Sequence, residues 1–232
     1  KVIVWGNDVA RVHGTISARG GAEGGDGGFV ETSGHYLDTT GVRVSAGAPN
    51  GRAGQWLLDP TDVTIHPGSG STSGGSFTSG VFSSAFTANS ASMYAGSITT
   101  ALNAGTSVTI QTTSTYGGFG DINVNGSIAK TGGGDVGLTL KADRNIVLGT
   151  GVGITSTSNK LNVTLNADTD GGGGGDIQMF PGSSIITNGG NIVMGGGADP
   201  LTSPAKGFGT VDPARHGILL QGATLNSGAG NI

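Results

Sequence analysis

Four charged residues near the start of the chain have the types that acid–base chemistry on a polysaccharide requires: Asp38, Arg43, Asp59 and Asp62. Enzymes that cleave polysaccharides place two or more carboxylates on one face, commonly with a basic side chain beside them. Asp59 and Asp62 also fit a turn, because Pro60 restricts Asp59 to extended backbone and Asp62 is placed to begin a strand. Surface charges on neighbouring coils of a repeat fold also come together by chance. We favour the turn, and we expect no catalytic residues in this chain.

A second set of oxygen-bearing side chains recurs before short apolar segments: Asp62, Asp121, Asn145 and Asp176. A repeat fold would stack these side chains in one column. Calcium needs about six to eight oxygens that converge on one point, and a column with a spacing of about 4.8 Å does not provide that. We therefore expect the side chains to bond backbone groups of turns, and we expect no metal site and no cofactor.

Histidine, cysteine and serine do not form a pattern that supports catalysis or metal binding. The histidines have no spacing typical of metal ligands; they are His13, His35, His66 and His216. The chain has no cysteine to act as a nucleophile, and no serine lies in a G-x-S-x-G motif. These observations favour a protein that is not an enzyme.

Aromatic side chains stack on sugar rings when they are exposed. The candidates are Trp5, Tyr36, Trp56, Tyr94 and Tyr116. Trp5 and Trp56 both fall in the first strand of a predicted repeat. We therefore expect these two indoles to pack inward or under a flanking segment.

The elements that carry these residues repeat along the chain. A unit of three short segments with alternating apolar residues is clearest at SVTIQT (107–112), GDINVN (120–125) and SIAK (127–130). Equivalent apolar positions of the first segment recur after 30, 25 and 29 residues: Ile110, Leu140, Leu165 and Met194. A period of about 20–50 residues indicates a repeat architecture. Three short strands per repeat predict one coil of an all-β parallel β-helix, a solenoid.

The repeats divide the chain into three parts. Residues 1–66 and 107–232 follow the coil pattern, and the second part contains an extruded loop at 198–216 that is rich in proline. Residues 67–106 form a Ser/Gly-rich insertion, in which SITTALNAG (97–105) predicts a short helical turn closed by glycine.

Composition narrows the class of protein further. Of 232 residues 48 are glycine, and they concentrate between the predicted strands, where each coil must turn. The formal net charge is −4 and no basic cluster is present, which argues against a nucleic-acid partner.

No apolar run reaches the length of about 18 residues that spans a bilayer, so we expect no membrane insertion. The chain opens directly on a strand, and we interpret it as a piece of a longer polypeptide.

The segments HGTISARGGAEGGDGGFVETSGHYLD (13–38) and APNGRAGQWLLDPTDVTI (48–65) resemble the filamentous-haemagglutinin-type exoproteins of Gram-negative two-partner secretion. With SITTALNAGTSVTIQTT (97–113), the resemblance covers nearly the whole chain. It implies a right-handed parallel β-helix and export through an outer-membrane secretion partner. The secretion domain of that family carries an Asn-Pro-Asn-Gly signature that this sequence lacks. The resemblance therefore implies a segment that follows the secretion domain.

The resemblance implies that this chain is a structural shaft segment. Such a segment of a secreted or surface-held adhesin projects a binding region from the cell, for adhesion, biofilm formation or host attachment. One alternative is direct binding of a glycan or host surface protein through the loops at 67–97 or 198–216. A second alternative is a β-helical polysaccharide lyase or hydrolase.

Overall fold

The structure is a computed structural model, and it describes residues 1–69, 75–78, 81–84, 90–114, 119–207 and 216–232. It is an all-β protein, and it confirms the predicted parallel β-solenoid with about six turns. Successive coils contribute strands to three faces. We call these the first, second and third face, in the order in which the chain passes through them.

The strands of the first two coils are β1 (Val2–Trp5), β2 (Val9–Arg11), β3 (Thr15–Ser17), β4 (Phe29–Ser33), β5 (Tyr36–Asp38) and β6 (Arg43–Ser45). The third coil contains β7 (Gln55–Asp59), β8 (Asp62–His66), β9 (Gly75–Thr78), β10 (Val81–Ser84), β11 (Ser90–Tyr94) and the helix α1 (Ala95–Asn103). The next two coils contain β12 (Ser107–Gln111), β13 (Ile122–Val124), β14 (Ile128–Lys130), β15 (Val136–Lys141), β16 (Ile146–Leu148) and β17 (Gly153–Ser156). The remaining strands are β18 (Leu161–Ala167), β19 (Ile177–Met179), β20 (Ser184–Ile186), β21 (Ile192–Gly196), β22 (Ile218–Leu220) and β23 (Thr224–Asn226).

The first and second faces are each one parallel sheet, and the third face consists of two parallel sheets. The first face has the order β1-β4-β7-β12-β15-β18-β21, and the second has the order β2-β5-β11-β8-β13-β16-β19-β22. The third face consists of β3-β6 and of β14-β17-β20-β23. Six steps between neighbouring strands on the first face give a rod of roughly 29 Å at about 4.8 Å per step. The β9–β10 pair is a separate antiparallel hairpin.

The core is built from columns of aliphatic side chains that repeat from coil to coil. On the first face Ile110 pairs with Leu140, Leu140 with Leu165, and Leu165 with Met194. The first three of these side chains are fully buried, and Met194 packs against the same core at its end. This register confirms the column that the 25 to 30 residue spacing predicts, because the period of two in a strand turns every second side chain inward.

In the third coil the helix α1 takes the place of the expected third-face strand. The sequence predicts a single turn at 97–105, whereas α1 extends from Ala95 to Asn103, and Gly105 follows it with φ +75°. The helix packs against both β6 and β14. Its diameter of about 10 Å equals two strand spacings of about 4.8 Å, which is the separation between the coils of those two strands. One helix therefore fills the space of two steps.

The segment after β8 returns into the second face. Strand β11 pairs with β8 over its length, as Met93 opposite Ile65 shows, and it meets β5 at Ser92 opposite Asp38. The end of the 67–106 segment thus lies in the solenoid wall, while 70–74, 79–80 and 85–89 lie outside the described residues.

The loop predicted at 198–216 partly packs back onto the coil that precedes it. The Gly196 amide donates to the Ser203 carbonyl at 2.9 Å, and the Gly207 amide donates to the Gly175 carbonyl at 3.2 Å. Residues 208–215 of this loop lie outside the described residues.

Candidate functional site

The predicted column of Asx residues forms a hydrogen-bonded ladder along the corner between the first and second faces. The carboxylate of Asp62 accepts from the Asp121 amide at 2.8 Å, and that of Asp121 accepts from the Asn145 amide at 3.1 Å. The side-chain oxygen of Asn145 accepts in turn from the Asp176 amide at 3.1 Å. These bonds confirm the predicted bonding of side chains to backbone. Each one ties a coil to the next.

Arg144 reinforces this ladder with its guanidinium. Its Nε donates to Asp121 Oδ1 at 2.7 Å, and its Nη2 donates to the other carboxylate oxygen. The guanidinium also lies 4.2 Å from the centre of the Phe119 ring, within the range of a cation–π contact. Hydrogen bonding to Asp121 raises the pKa of Arg144. The oxygens of Asp121 are therefore engaged in holding neighbouring coils together.

The same arrangement occurs at other corners, which sequence reasoning missed. The Arg52 amide donates to Asp26, the Lys160 amide to Asp135, and the Asn191 amide to Asn162, each at 2.9 Å. These bonds could have been predicted from the sequence, because each acceptor residue precedes its donor residue by the length of one coil. Within the part of the chain that the structure describes, no group of three or more His, Cys, Asp or Glu residues is placed to hold a metal ion.

Replacing Asp121 with alanine removes the acceptor of the Asn145 amide and the partner of Arg144. We expect the free energy of unfolding to fall by about 2 kcal/mol, since bonds to charged groups contribute about 1.5–3 kcal/mol. Urea denaturation measures this loss. Asp121→Asn keeps an oxygen acceptor without the charge and is expected to lose less. An equal loss in both variants would show that the charge, rather than the ladder bond, carries the stability.

The four candidates for acid–base chemistry do not converge on one face. Asp38 lies on the second face and accepts from the Thr40 amide at 2.9 Å and from its hydroxyl at 2.6 Å. Arg43 begins a third-face strand, and Asp62 belongs to the ladder. Of the four, Asp59 alone lines the cleft described next.

The cleft lies at the corner between the first and second faces and has a volume of about 230 Å³. Its lining includes Trp5, Glu31, Ser33, His35, Asp59 and Thr61. Trp5 pairs with Ser33, and Ser33 pairs with Asp59, so these side chains form one outward row across three strands. Because neighbouring strands are about 4.8 Å apart, the row covers about 10 Å of the surface.

Trp5 faces solvent, so within the part of the chain that the structure describes the expectation that it packs inward or under a flanking segment is wrong. Its side chain is 76% exposed, whereas Val2 and Val4 of the same strand pack against the core. Trp56 follows the expectation, since it is fully buried and donates from Nε1 to Thr32 Oγ1 at 3.0 Å. The two indoles differ because a shift of one residue along a strand moves a side chain to the opposite face.

The remaining aromatic candidates are less accessible. Tyr36 is buried, and burial raises its pKa to about 12. Tyr94 is half-buried, and its ring lies 5.7 Å from that of His66. Tyr116 lies outside the described residues. Trp5 is therefore the exposed platform among the four described candidates.

Asp59 has an unusual protonation equilibrium. Burial, with smaller contributions from the charges of Glu31 and Asp143, raises its pKa to about 6, while Lys141 opposes the shift. The carboxyl of Asp59 is therefore partly protonated near neutral pH. Glu31 beside it accepts a hydrogen bond from the Ser33 hydroxyl at 3.0 Å.

The raised pKa predicts that stability falls as Asp59 ionises. The protonated form favours the folded state, so the contribution is complete below about pH 4 and is lost as the pH rises through about 6. The groups that act on this carboxyl are Glu31, Asp143 and Lys141, with His35 lining the same cleft. We expect Asp59→Asn to stabilise the fold by about 1–2 kcal/mol at pH 7.5, after allowance for partial exposure, and to have little effect at pH 4.

Urea midpoints at pH 4 and pH 7.5 measure this difference. Glu23→Gln is the matched control, because it removes one negative charge from an exposed turn. A gain at pH 7.5 that is the same in both variants would mean that net charge, and not the environment of Asp59, sets the effect.

No helix among the described residues is long and apolar enough to cross a membrane. No model of a protein family matches this chain, and no curated protein matches it either.

Proposed function

We propose that this chain is a structural shaft segment of a large adhesin that is secreted or held at the bacterial cell surface. The observation that carries the proposal is the column of buried aliphatic side chains that continues from Leu58 to Leu165 on the first face. Ile110, Leu140 and Leu165 lie directly above one another in successive coils. Such a column favours a role in which the protein maintains distance and direction. The resemblance at 13–38 and 48–65 supports the same role.

The coil-to-coil contacts suit export in the unfolded state. Each coil contacts mainly its neighbours, so a repeat can fold onto the one before it as the chain emerges. The Asx ladder adds a polar bond at three such steps, from Asp62 to Asp176. An outer-membrane secretion partner of the kind that the resemblance implies would release the chain in this order.

Removing one whole coil tests the spacer role in the protein as its source cell makes it. The deletion of 136–160 joins Asp135 to Leu161, which is the residue that pairs with Val136. The splice therefore keeps the register. We expect secretion and attachment to persist, with the rod shorter by one strand spacing of about 4.8 Å.

The matched control deletes 136–148, only part of the same coil, and so breaks the register. We expect that variant to be secreted poorly or degraded, because inward side chains would face solvent. The proposal is wrong if the whole-coil deletion abolishes attachment while secretion and folding stay intact. In that case this segment itself would carry the binding activity.

A further inference from the structure

We propose that the cleft between the first and second faces binds a non-acidic pyranose unit of a glycan, stacked on Trp5 and hydrogen-bonded by Glu31 and Asp59. This inference goes beyond the shaft role and does not depend on it. It assigns a binding surface to the solenoid wall itself, separate from the loops at 67–97 and 198–216.

The first support for the proposal is the outward orientation of Trp5. Val2 and Val4 of β1 pack against the core, so the indole of Trp5, in the alternate register, lies on the outer side of the strand and lines the cleft. Large apolar side chains on the outside are informative where polar groups surround them. An indole face offers a rigid apolar surface to the C–H groups of a sugar ring. The surrounding carboxylates of Glu31 and Asp59 supply the polar contacts.

The second support is the placement of hydrogen-bond acceptors along the same row. Asp59 lies two strands from Trp5 on the register through Ser33. Glu31 is next to Ser33 on the intermediate strand and faces the same side. A sugar that stacks on the indole therefore has carboxylate oxygens within about 10 Å of its edge. Charged acceptors make the stronger class of hydrogen bond to hydroxyl groups.

The third support comes from Thr61, which also lines the cleft. Its side chain is fully buried, and its hydroxyl has no hydrogen-bond partner among the described residues. Buried polar groups without partners are rare in native proteins, so each one needs an explanation. A ligand hydroxyl that enters the cleft would provide the missing partner.

The negative charge of the cleft determines which class of sugar it can bind. Glu31 and Asp59 repel each other, and this repulsion contributes to the raised pKa of Asp59. A uronate or sulfated sugar would bring a further negative charge into the same space, which electrostatic complementarity disfavours. Neutral sugars and amino sugars carry no such penalty. The proposal therefore excludes acidic polysaccharides as ligands.

Titration of the 232-residue chain with three β-1,4-linked hexaoses tests the proposal. The probes are hexaoses of glucose and of glucosamine, with a glucuronate hexaose as the anionic counterpart. Calorimetry is expected to show saturable binding of at least one of the first two and none of the third. Trp5→Ala and Glu31→Gln are each expected to lower the affinity by about tenfold. Leu201→Ala removes an equally exposed apolar side chain outside the cleft, and it should leave the affinity unchanged.

The wild-type protein provides a second readout that does not depend on any variant. Its ¹H–¹⁵N spectrum contains two indole signals, from Trp5 and from the buried Trp56. We expect the hexaose to shift the Trp5 signal and to leave the Trp56 signal in place. Absence of binding to both non-acidic hexaoses, equal affinity in Trp5→Ala, or an unmoved Trp5 signal would each overturn the proposal.

Discussion

Replacing Leu140 with alanine is expected to lower the free energy of unfolding by about 3 kcal/mol. Leu140 is fully buried and lies between Ile110 and Leu165 in the first-face column. Its removal leaves a cavity between two coils whose strands are held by backbone bonds on both sides. Because the neighbours are tied in register, they have little freedom to close the space. Urea denaturation followed by circular dichroism measures the loss.

Thr139→Ala is the matched control for this prediction. Thr139 is the preceding residue on the same strand, with its side chain on the outer face between Thr109 and Thr164. We expect its replacement to cost under about 1 kcal/mol, the scale of a cross-strand pair. If both variants lose the same stability, Leu140 does not occupy a stacked core, and the shaft proposal loses its main support.

Gly27→Ala is expected to destabilise the fold by about 3 kcal/mol, which lowers the thermal midpoint by roughly 6–12 °C. A Cβ at this position would lie 1.8 Å from the Ala46 carbonyl oxygen and 2.4 Å from the Gly54 amide nitrogen. Both contacts are with backbone, which has no flexible end that can move aside. The Gly54 amide donates to the same Ala46 oxygen at 2.8 Å, so the clash also threatens the bond that closes the 46–54 turn.

Gly134→Ala separates this clash from the general effect of a glycine substitution. Gly134 is exposed, and a Cβ there would meet nothing within 4 Å. Such a change is expected to be neutral or slightly stabilising, because it reduces the freedom of the unfolded chain. Equal midpoints for the two variants, measured by thermal denaturation, would show that Gly27 is not confined as the structure describes.

Gly27 also gives a physical reason for one segment of the resemblance. It belongs to GGDGGFVETSG, where the chain turns from the third face of one coil into the first face of the next. The Gly27 amide donates to the Arg52 carbonyl at 2.9 Å, which draws the two turns together. Without side chains the backbones can approach this closely. The sequence signal at this turn therefore follows from packing between adjacent coils.

The repeat length and the alternation of apolar residues were sufficient to predict the solenoid and its columns. Leu140 and Leu165 are 25 residues apart and pair as that spacing requires. The Asx ladder was also predictable at one corner, since Asp121 and Asn145 precede equivalent strands. Both features depend on periodicity along one chain, and a parallel solenoid converts that periodicity directly into contacts.

Three other features required the tertiary structure. The exposure of Trp5 depends on which phase of the strand alternation faces the core, and a short strand does not reveal this alone. The place of α1 depends on the match between a helix diameter and two strand spacings. The return of β11 depends on the space between β5 and β8, which are neighbours along the chain's coils but do not pair with each other on the second face.

The sequence by itself determined the coil period, the columns of the core and the residues that turn the chain. The tertiary structure decided which side chains meet at the corner, and so brought Trp5, Glu31, Asp59 and Thr61 to one cleft from three separate coils. The reason is that local patterns specify the direction of a side chain relative to its own strand. The neighbours of that side chain depend on how coils of unequal length, with their inserted helix and strand, stack on one another.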